Sequence, residues 1–389
     1  MNGRHVRRKA GPTEPGLQVN WHFDPSVRLN RILSSRCQIG AMPRKGPTVV
    51  RTSVRVELQA DMGEPGSSGR DLPHVPVLLE EVLAALAPLD GARILDGTFG
   101  AGGYSRALLE AGASVVALDR DPSVLPYVSQ LSAAFPDRFR FVSGTFSRLD
   151  ALAGAPVDGV VLDIGVSSMQ LDQAGRGFSF MNDGPLDMRM SSDGQSAADL
   201  VNALEEAALA NLLFAYGEER KSRRIAHSIV AARAAAPITT TAQLARLIEK
   251  SIGRKPGDAH PATRSFQALR IAVNGELEQL VEGLFASERL LSEGGRLAVV
   301  SFHSLEDRIV KRFLDPEKSA PVRSRHLPEA AAEQPRWIGL GKAVRPSPAE
   351  MARNPRSRSS TLRSARRSAM PARPVSYLGL GVPNSRSAG

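Results

Sequence analysis

The chain has 389 residues, 42% of them hydrophobic, with one cysteine and a formal charge of +10. That length supports a large core. The lone Cys37 excludes an internal disulfide or a cysteine metal cluster and fits a reducing cytoplasm.

The charge is uneven. Residues 1–70 hold 12 Lys/Arg against 5 Asp/Glu, residues 318–389 hold 14 against 3, and residues 71–317 hold 24 against 32. Basic ends beside a mildly acidic body suit a polyanionic partner such as nucleic acid, and equally a pair of solvated tails. No run approaches the ~18 apolar residues of a membrane span. The basic start (Arg4, Arg7, Arg8, Lys9) is followed by no apolar stretch of a secretory signal.

Residues 1–70 mix Pro, Gly, Ser and Arg without sustained periodicity, and read as largely disordered. Order is expected from about His74. Leu78 to Leu86 has helical spacing, with Glu80 and Glu81 facing outward. Four short apolar strands follow: Ala92–Asp96, Ser114–Asp119, Phe139–Val142 and Val157–Asp163. Three of them end in an acid. Such strands separated by helices predict a parallel sheet covered on both faces. From about 174 to 272 no strand is evident. Leu200 to Phe214 and Leu244 to Ile252 are the best helical windows there. Glu276 to Leu291 is amphipathic, Gly295–Phe302 is a fifth strand, and Ser304–Leu314 is a helix. A helical insertion after strand four is the simplest account. Residues 318–389, rich in Pro, Ser and Arg, read as loop-like.

The loop after the first strand is Asp96-Gly-Thr-Phe-Gly-Ala-Gly-Gly-Tyr-Ser105. Ligands of open parallel sheets bind beyond the carboxyl ends of the strands, and glycines let backbone approach them closely. Asp119, 19 residues after Gly100, is placed to accept both ribose hydroxyls of an adenosine. A dinucleotide would need glycine at position 105, where Ser105 stands, and Asp96 would repel a pyrophosphate. An acid there suits the cationic methionine end of S-adenosylmethionine. Phe146, after strand three, is either an adenine contact or a core residue. Asp163 at the end of strand four is costly to bury unpartnered, and so is a candidate for the methionine end or for catalysis.

Covalent methylation of pyrimidine carbon-5 needs a cysteine nucleophile, and the only cysteine lies far from the sheet. Direct transfer to nitrogen or oxygen remains, with an oriented acceptor. Asp163 and the turn Gly165–Ser168 are the places for a group accepting the hydrogen of an exocyclic amine. His260–Arg264 with Arg270, and Arg220–Arg224, are candidate phosphate contacts; a solvated helix face explains the second cluster equally well. His303 is either a substrate-site or a helix-start residue, and Ser304 with Asp307 nearly matches a capping box.

Several long strings together resemble the MraW/RsmH family: Asp96–Ser105, Leu162–Asp172, Arg176–Met190, Tyr216–Arg220, His260–Arg270, Ser301–Arg308 and Asn354–Ser360. The resemblance covers roughly residues 72 to 368. It implies an α/β fold, the class I S-adenosylmethionine-dependent methyltransferase with a Rossmann-like parallel sheet and an inserted helical domain. It implies methylation of the exocyclic amino nitrogen of a cytidine in 16S ribosomal RNA near the decoding centre, in the cytoplasm, with small-subunit RNA as partner. A homodimer is left open. By motif, the cofactor residues would be Gly102, Gly103, Tyr104, Asp119, Phe146, Asp163 and Gln170; no ligand cluster in the sequence calls for a metal, and metal dependence is left open. Gln170 comes from the resemblance alone. Tyr104 stands where many members have histidine, and Met169 replaces a common proline.

The expected organisation is a leader at 1–70, a methyltransferase domain at 71–173 and 273–317, an inserted substrate-recognition domain at 174–272, and a partly disordered basic segment at 318–389. The leader has no counterpart in the family and reads as a start-site artefact rather than a lineage-specific arm; removing it is expected to leave activity unchanged. Two alternatives make different demands on the sequence. A DNA amino-methyltransferase would carry an Asp/Ser-Pro-Pro-Tyr/Trp tetrad where Asp163-Ile-Gly-Val166 stands. A non-catalytic RNA-binding factor would not need the intact loop with Asp119 and Asp163.

Overall fold

The structure is a computed structural model and describes residues 76–191, 193–316 and 334–383. The expectations for residues 1–70 lie outside the described residues. The sheet contains β1 (Arg93–Asp96), β2 (Ser114–Asp119), β3 (Phe139–Ser143), β4 (Val157–Asp163) and β5 (Leu291–Ser301), all parallel, in the spatial order β3-β2-β1-β4-β5. The interiors of β2 and β4 are buried in unbroken runs, Val115–Leu118 and Gly159–Leu162. Strands buried on both faces have no polar side to alternate with.

One face is covered by α1 (Leu79–Leu86), α2 (Gly103–Glu110) and α3 (Leu125–Ala134), whose Leu86, Leu108 and Leu131 share a core with Ile94, Val115 and Val161. The other begins with α4 (Leu149–Ala153). After β4 comes α5 (Ser168–Asp172), started by a capping box between Ser167 and Gln170. The insertion then supplies α6 (Ala197–Ala203), α7 (Glu206–Gly217), α8 (Ser222–Arg233), α9 (Thr241–Ile252) and α10 (Thr263–Asn274). The chain returns through α11 (Glu276–Leu290), β5 and α12 (Ser304–Leu314). Leu280, Leu284, Ile309 and Phe313 pack with Leu95, Val160 and Leu162, in one apolar cluster with Leu209, Leu213 and Ile225 of the insertion.

Three details differ from the expectations. The single helical window Leu200–Phe214 is two helices, because Leu204 is extended (φ −64°, ψ 140°). Asn202 fixes that break by bonding to both the N–H and the carbonyl of Ile238, 36 residues away. The cap of α12 is His303 with Glu306, not Ser304 with Asp307.

The third difference is larger. Residues 318–389 were expected to be loop-like, yet β6 (Trp337–Ile338), α13 (Pro348–Arg353) and β7 (Thr361–Arg367) lie there. β7 pairs antiparallel with β5 and with β6, extending the sheet to seven strands. Its arginines conceal it in a composition scan. In the fold they are spent internally: Arg363 bonds twice to Asp307, at 2.7 and 3.0 Å, and buried Arg367 donates to the carbonyl of Glu288 at 3.0 Å. Glu288, 1% exposed, also accepts from Trp337 Nε1 at 2.9 Å and from Arg373, whose guanidinium lies over Phe313. Among the described residues no helix is long and apolar enough to cross a membrane.

Candidate active site

A cavity of about 910 Å³ opens at the carboxyl ends of β1, β2 and β4. The glycine loop Gly97–Ala101 forms its floor, and Gly103 and Tyr104 continue it into α2. Gly102 starts α2 in the left-handed conformation (φ 78°), which a side chain would strain. Gly102 does not line the cavity. Gly103, Tyr104, Asp119, Phe146, Asp163 and Gln170 all do.

Each side chain is held by identifiable partners. Asp119 accepts from the N–H of Gly100 at 2.8 Å and of Asp121 at 2.9 Å. The 19-residue spacing is therefore realised as a bond that ties the second strand end to the glycine loop. Burial pushes the Asp119 carboxyl up, against those two backbone donors. Tyr104 is buried, and its hydroxyl donates to the carbonyl of Val77. Its hydroxyl is thus occupied in holding the entry to α1. Gln170 accepts from the Ser167 N–H at 3.0 Å and donates to Asp121 at 2.7 Å, so its side chain braces the wall of the cavity. Arg176 grips the same Asp121 with two bonds of 3.2 and 2.9 Å. Burial alone would raise the Asp121 carboxyl, but bonds from Arg176 and Gln170 outweigh it and bring it below the usual range. Asp121 and Arg176 are contributors that the sequence did not single out, while Thr98 lies in the expected loop. Thr98 accepts from the Asp163 N–H at 2.7 Å.

The two acids flanking the loop differ. Asp96 was expected to face a cationic ligand, but it is fully buried and does not line the cavity. Its oxygens accept from the Thr98 N–H at 3.1 Å and the Ser105 hydroxyl at 2.7 Å. Asp96 therefore shapes the loop, and Ser105, the residue that broke the dinucleotide pattern, is its partner. Burial pushes Asp96 up to about 6, although those bonds pull it down. Asp163 lines the cavity, and its Oδ1 is buried with no hydrogen-bond partner among the described residues. Burial, with Asp96 and Glu306 nearby, pushes it up to about 8.

Beside Asp163 lies an ion cluster. Arg270, expected as a phosphate contact, is only 15% exposed and bonds to both oxygens of Glu276 at 2.8 Å. Its Nη2 is 3.9 Å from Glu306 Oε1. His303 Nε2 lies 3.0 Å from the same oxygen, without the alignment of a hydrogen bond. Glu276, His303 and Glu306 bring potential metal-ligand atoms within 4.8 Å of one another. Arg270 already supplies the cation between the two glutamates, so this is an ion-pair cluster. The other predicted cluster, Arg220, Lys221, Arg223 and Arg224, is exposed at the start of α8. Lys221 Nζ reaches the Ile252 carbonyl at 3.0 Å, bringing that cluster beside Arg254 and Lys255.

The residues present fit S-adenosylmethionine. A Cβ at Gly97 would lie 2.5 Å from Leu162 Cδ2 and 3.2 Å from Phe146 Cβ, so the floor is open only because that position is bare. Asp119 retains free lone pairs for ribose hydroxyls. The uncompensated Asp163 carboxyl suits a positive charge and would disfavour a phosphate.

Comparison with known proteins agrees. The profile of the MraW methylase family matches residues 71–368. The ribosomal RNA small subunit methyltransferase H of Cereibacter sphaeroides (strain KD131 / KCTC 12085) is 60% identical over 315 residues, covering 80% of this chain and 95% of the relative. The proteins of the same name from Xanthobacter autotrophicus and Dinoroseobacter shibae are each 56% identical, covering 80% of this chain and 92% and 95% of their own lengths. The chain therefore belongs to the MraW methylase family, a class I methyltransferase of Rossmann-like fold whose methyl donor is S-adenosylmethionine.

Proposed function

We propose that the chain methylates the exocyclic N4 of a cytidine in the 16S RNA of the small ribosomal subunit, near the decoding centre. The observation that carries this reading is Asp163, lining the cavity with an unpartnered buried oxygen and followed by Ile-Gly-Val. The names of the relatives support the RNA. The cavity lies near the upper end of the roughly 300–1,000 Å³ typical of small-molecule sites, which favours room for both a cofactor and an acceptor.

S-adenosylmethionine supplies an electrophilic methyl group when bound. Asp119 would take the ribose hydroxyls, Phe146 the adenine face, and Gly103 with Tyr104 the methionine end. Asp163, once ionised beside a positive charge, accepts hydrogen from the acceptor amine. That restores part of the nucleophilicity its delocalised lone pair lacks. Orientation of the amine by the turn after β4 supplies the rest. Incubating the protein with labelled cofactor and subunits lacking the modification, then mapping the label, tests the reading. The expected result is one labelled cytidine. Label on another base or on protein would overturn it.

The inserted helices are proposed as the RNA-facing domain. Arg223→Ala with Arg224→Ala is expected to weaken subunit binding equally for modified and unmodified RNA. The slope of log affinity against log salt should flatten by about 1–2, since each lost phosphate contact removes roughly 0.7–0.9. An unchanged slope in filter binding would make the α8 cluster a solvated face.

A further inference from the structure

Arg270 is held by two carboxylates, yet one side of its guanidinium is unused. Nε and Nη2 donate to Glu276 at 2.8 Å each, and the outer edge of Nη2 faces Glu306 at 3.9 Å. No hydrogen bond among the described residues uses Nη1, and Arg270 lines the cavity. Its glutamate partner Glu306 lies in the first turn of α12, just after β5, and acts electrostatically on Asp163 at the end of β4. Arg270 and Asp163 line the same cavity, which the proposed amine acceptor must enter to meet Asp163. The other arginines of the cavity wall that are bonded point elsewhere: Arg120 to Met190 and Asn274, and Arg356 to Asp172.

We propose that Arg270 reads the acceptor base, donating from Nη1 to the N3 and O2 edge of the cytosine. This rests on the cytidine reading above. Cytosine offers acceptors at both positions, whereas uracil presents an N–H at position 3 that meets the guanidinium donor with a donor. A fixed donor is worth most where its geometry is already set, and the fork on Glu276 sets it. Glu276 and Glu306 also neutralise the guanidinium charge, so the donor sits near a cationic cofactor without repelling it. Lysine cannot replace it, because a single ammonium cannot hold the Glu276 fork and present a second, fixed donor pair.

The test uses the full chain and reconstituted small subunits carrying either cytidine or 3-deazacytidine at the labelled nucleotide. The analogue keeps N4 and O2 but loses the N3 acceptor. Wild-type protein is expected to methylate it with kcat/KM ten- to hundredfold lower. Its binding to the subunit, measured with S-adenosylhomocysteine present, should weaken in the same direction. Arg270→Lys, checked for folding by thermal melting, is expected to treat the two acceptors within threefold of each other, with cofactor affinity unchanged. Equal handling of both acceptors by the wild type overturns the assignment without needing any variant. Discrimination retained in Arg270→Lys overturns it as well, moving the contact to another donor. Failure of the wild type to label cytidine itself overturns the underlying reading, and this inference with it.

Discussion

Asp163→Asn is expected to lower methyl transfer by about 10²–10⁴-fold while raising the melting temperature of the cofactor-free protein. The variant keeps the shape of the side chain and removes a carboxyl that burial, Asp96 and Glu306 all disfavour. The sign of its pH dependence follows from linkage. The native carboxyl titrates at about 8, while an unfolded aspartate titrates near 3.9. Between those values the native state holds a proton that the unfolded chain has released. Stability without cofactor therefore falls as pH rises from about 4 to about 8, then levels off. The variant should lack that slope. Cofactor affinity carries the opposite sign: a cation favours the ionised form, so binding tightens as pH rises through about 8 and releases a proton below it. Calorimetry in two buffers of different ionisation enthalpy measures the proton. Wild-type activity in Asp163→Asn, or proton release that survives the substitution, would show that another group does this work.

Glu288→Ala is expected to cost about 3–5 kcal/mol, the range for removing one partner from a buried charged pair. Glu288 is almost wholly enclosed, and it holds Trp337 Nε1 and the Arg373 side chain and N–H. Its loss leaves Arg373 without its carboxylate over the rings of Phe285 and Phe313. Chemical denaturation would read the loss as a lower midpoint. Because the same segment supplies Glu350, Arg353 and Asn354 to the cavity wall, cofactor affinity should fall with it. Glu350 accepts the Leu78 N–H at 2.7 Å, a contact spanning 272 residues that joins the far end of the chain to α1. A Glu288→Ala protein as stable as the wild type would mean that the C-terminal strands are held by backbone pairing alone.

The core of the fold was legible because its signal is local. Apolar runs ending in acids at 96, 119 and 163 mark strands whose tips face a ligand, and all three lie at the strand ends. What an acid does at a strand end was less legible. Asp96 and Asp163 look alike in sequence, yet one is consumed by Thr98 and Ser105 and the other faces the cavity. That distinction depends on which way a loop folds over the strand. The brace of Gln170, Asp121 and Arg176 joins residues up to 55 positions apart and has no local pattern. Strand β7 failed for another reason. Its buried residues fall on both faces, Leu362 on one and Thr361, Ala365 and Arg367 on the other, and the arginine is buried because carbonyls accept from it. A reading by hydrophobicity assigns such a strand to solvent.

One side of the cavity is made by the last part of the chain, since Ser347, Glu350, Arg353, Asn354 and Arg356 all follow β5 and precede its sheet partner β7. During synthesis, a nascent chain stopped before residue 334 contains the glycine loop, Asp119 and Asp163, yet lacks the side of the pocket that presses on α1. The complete pocket therefore needs the chain through β7, whose pairing with β5 holds that side in place.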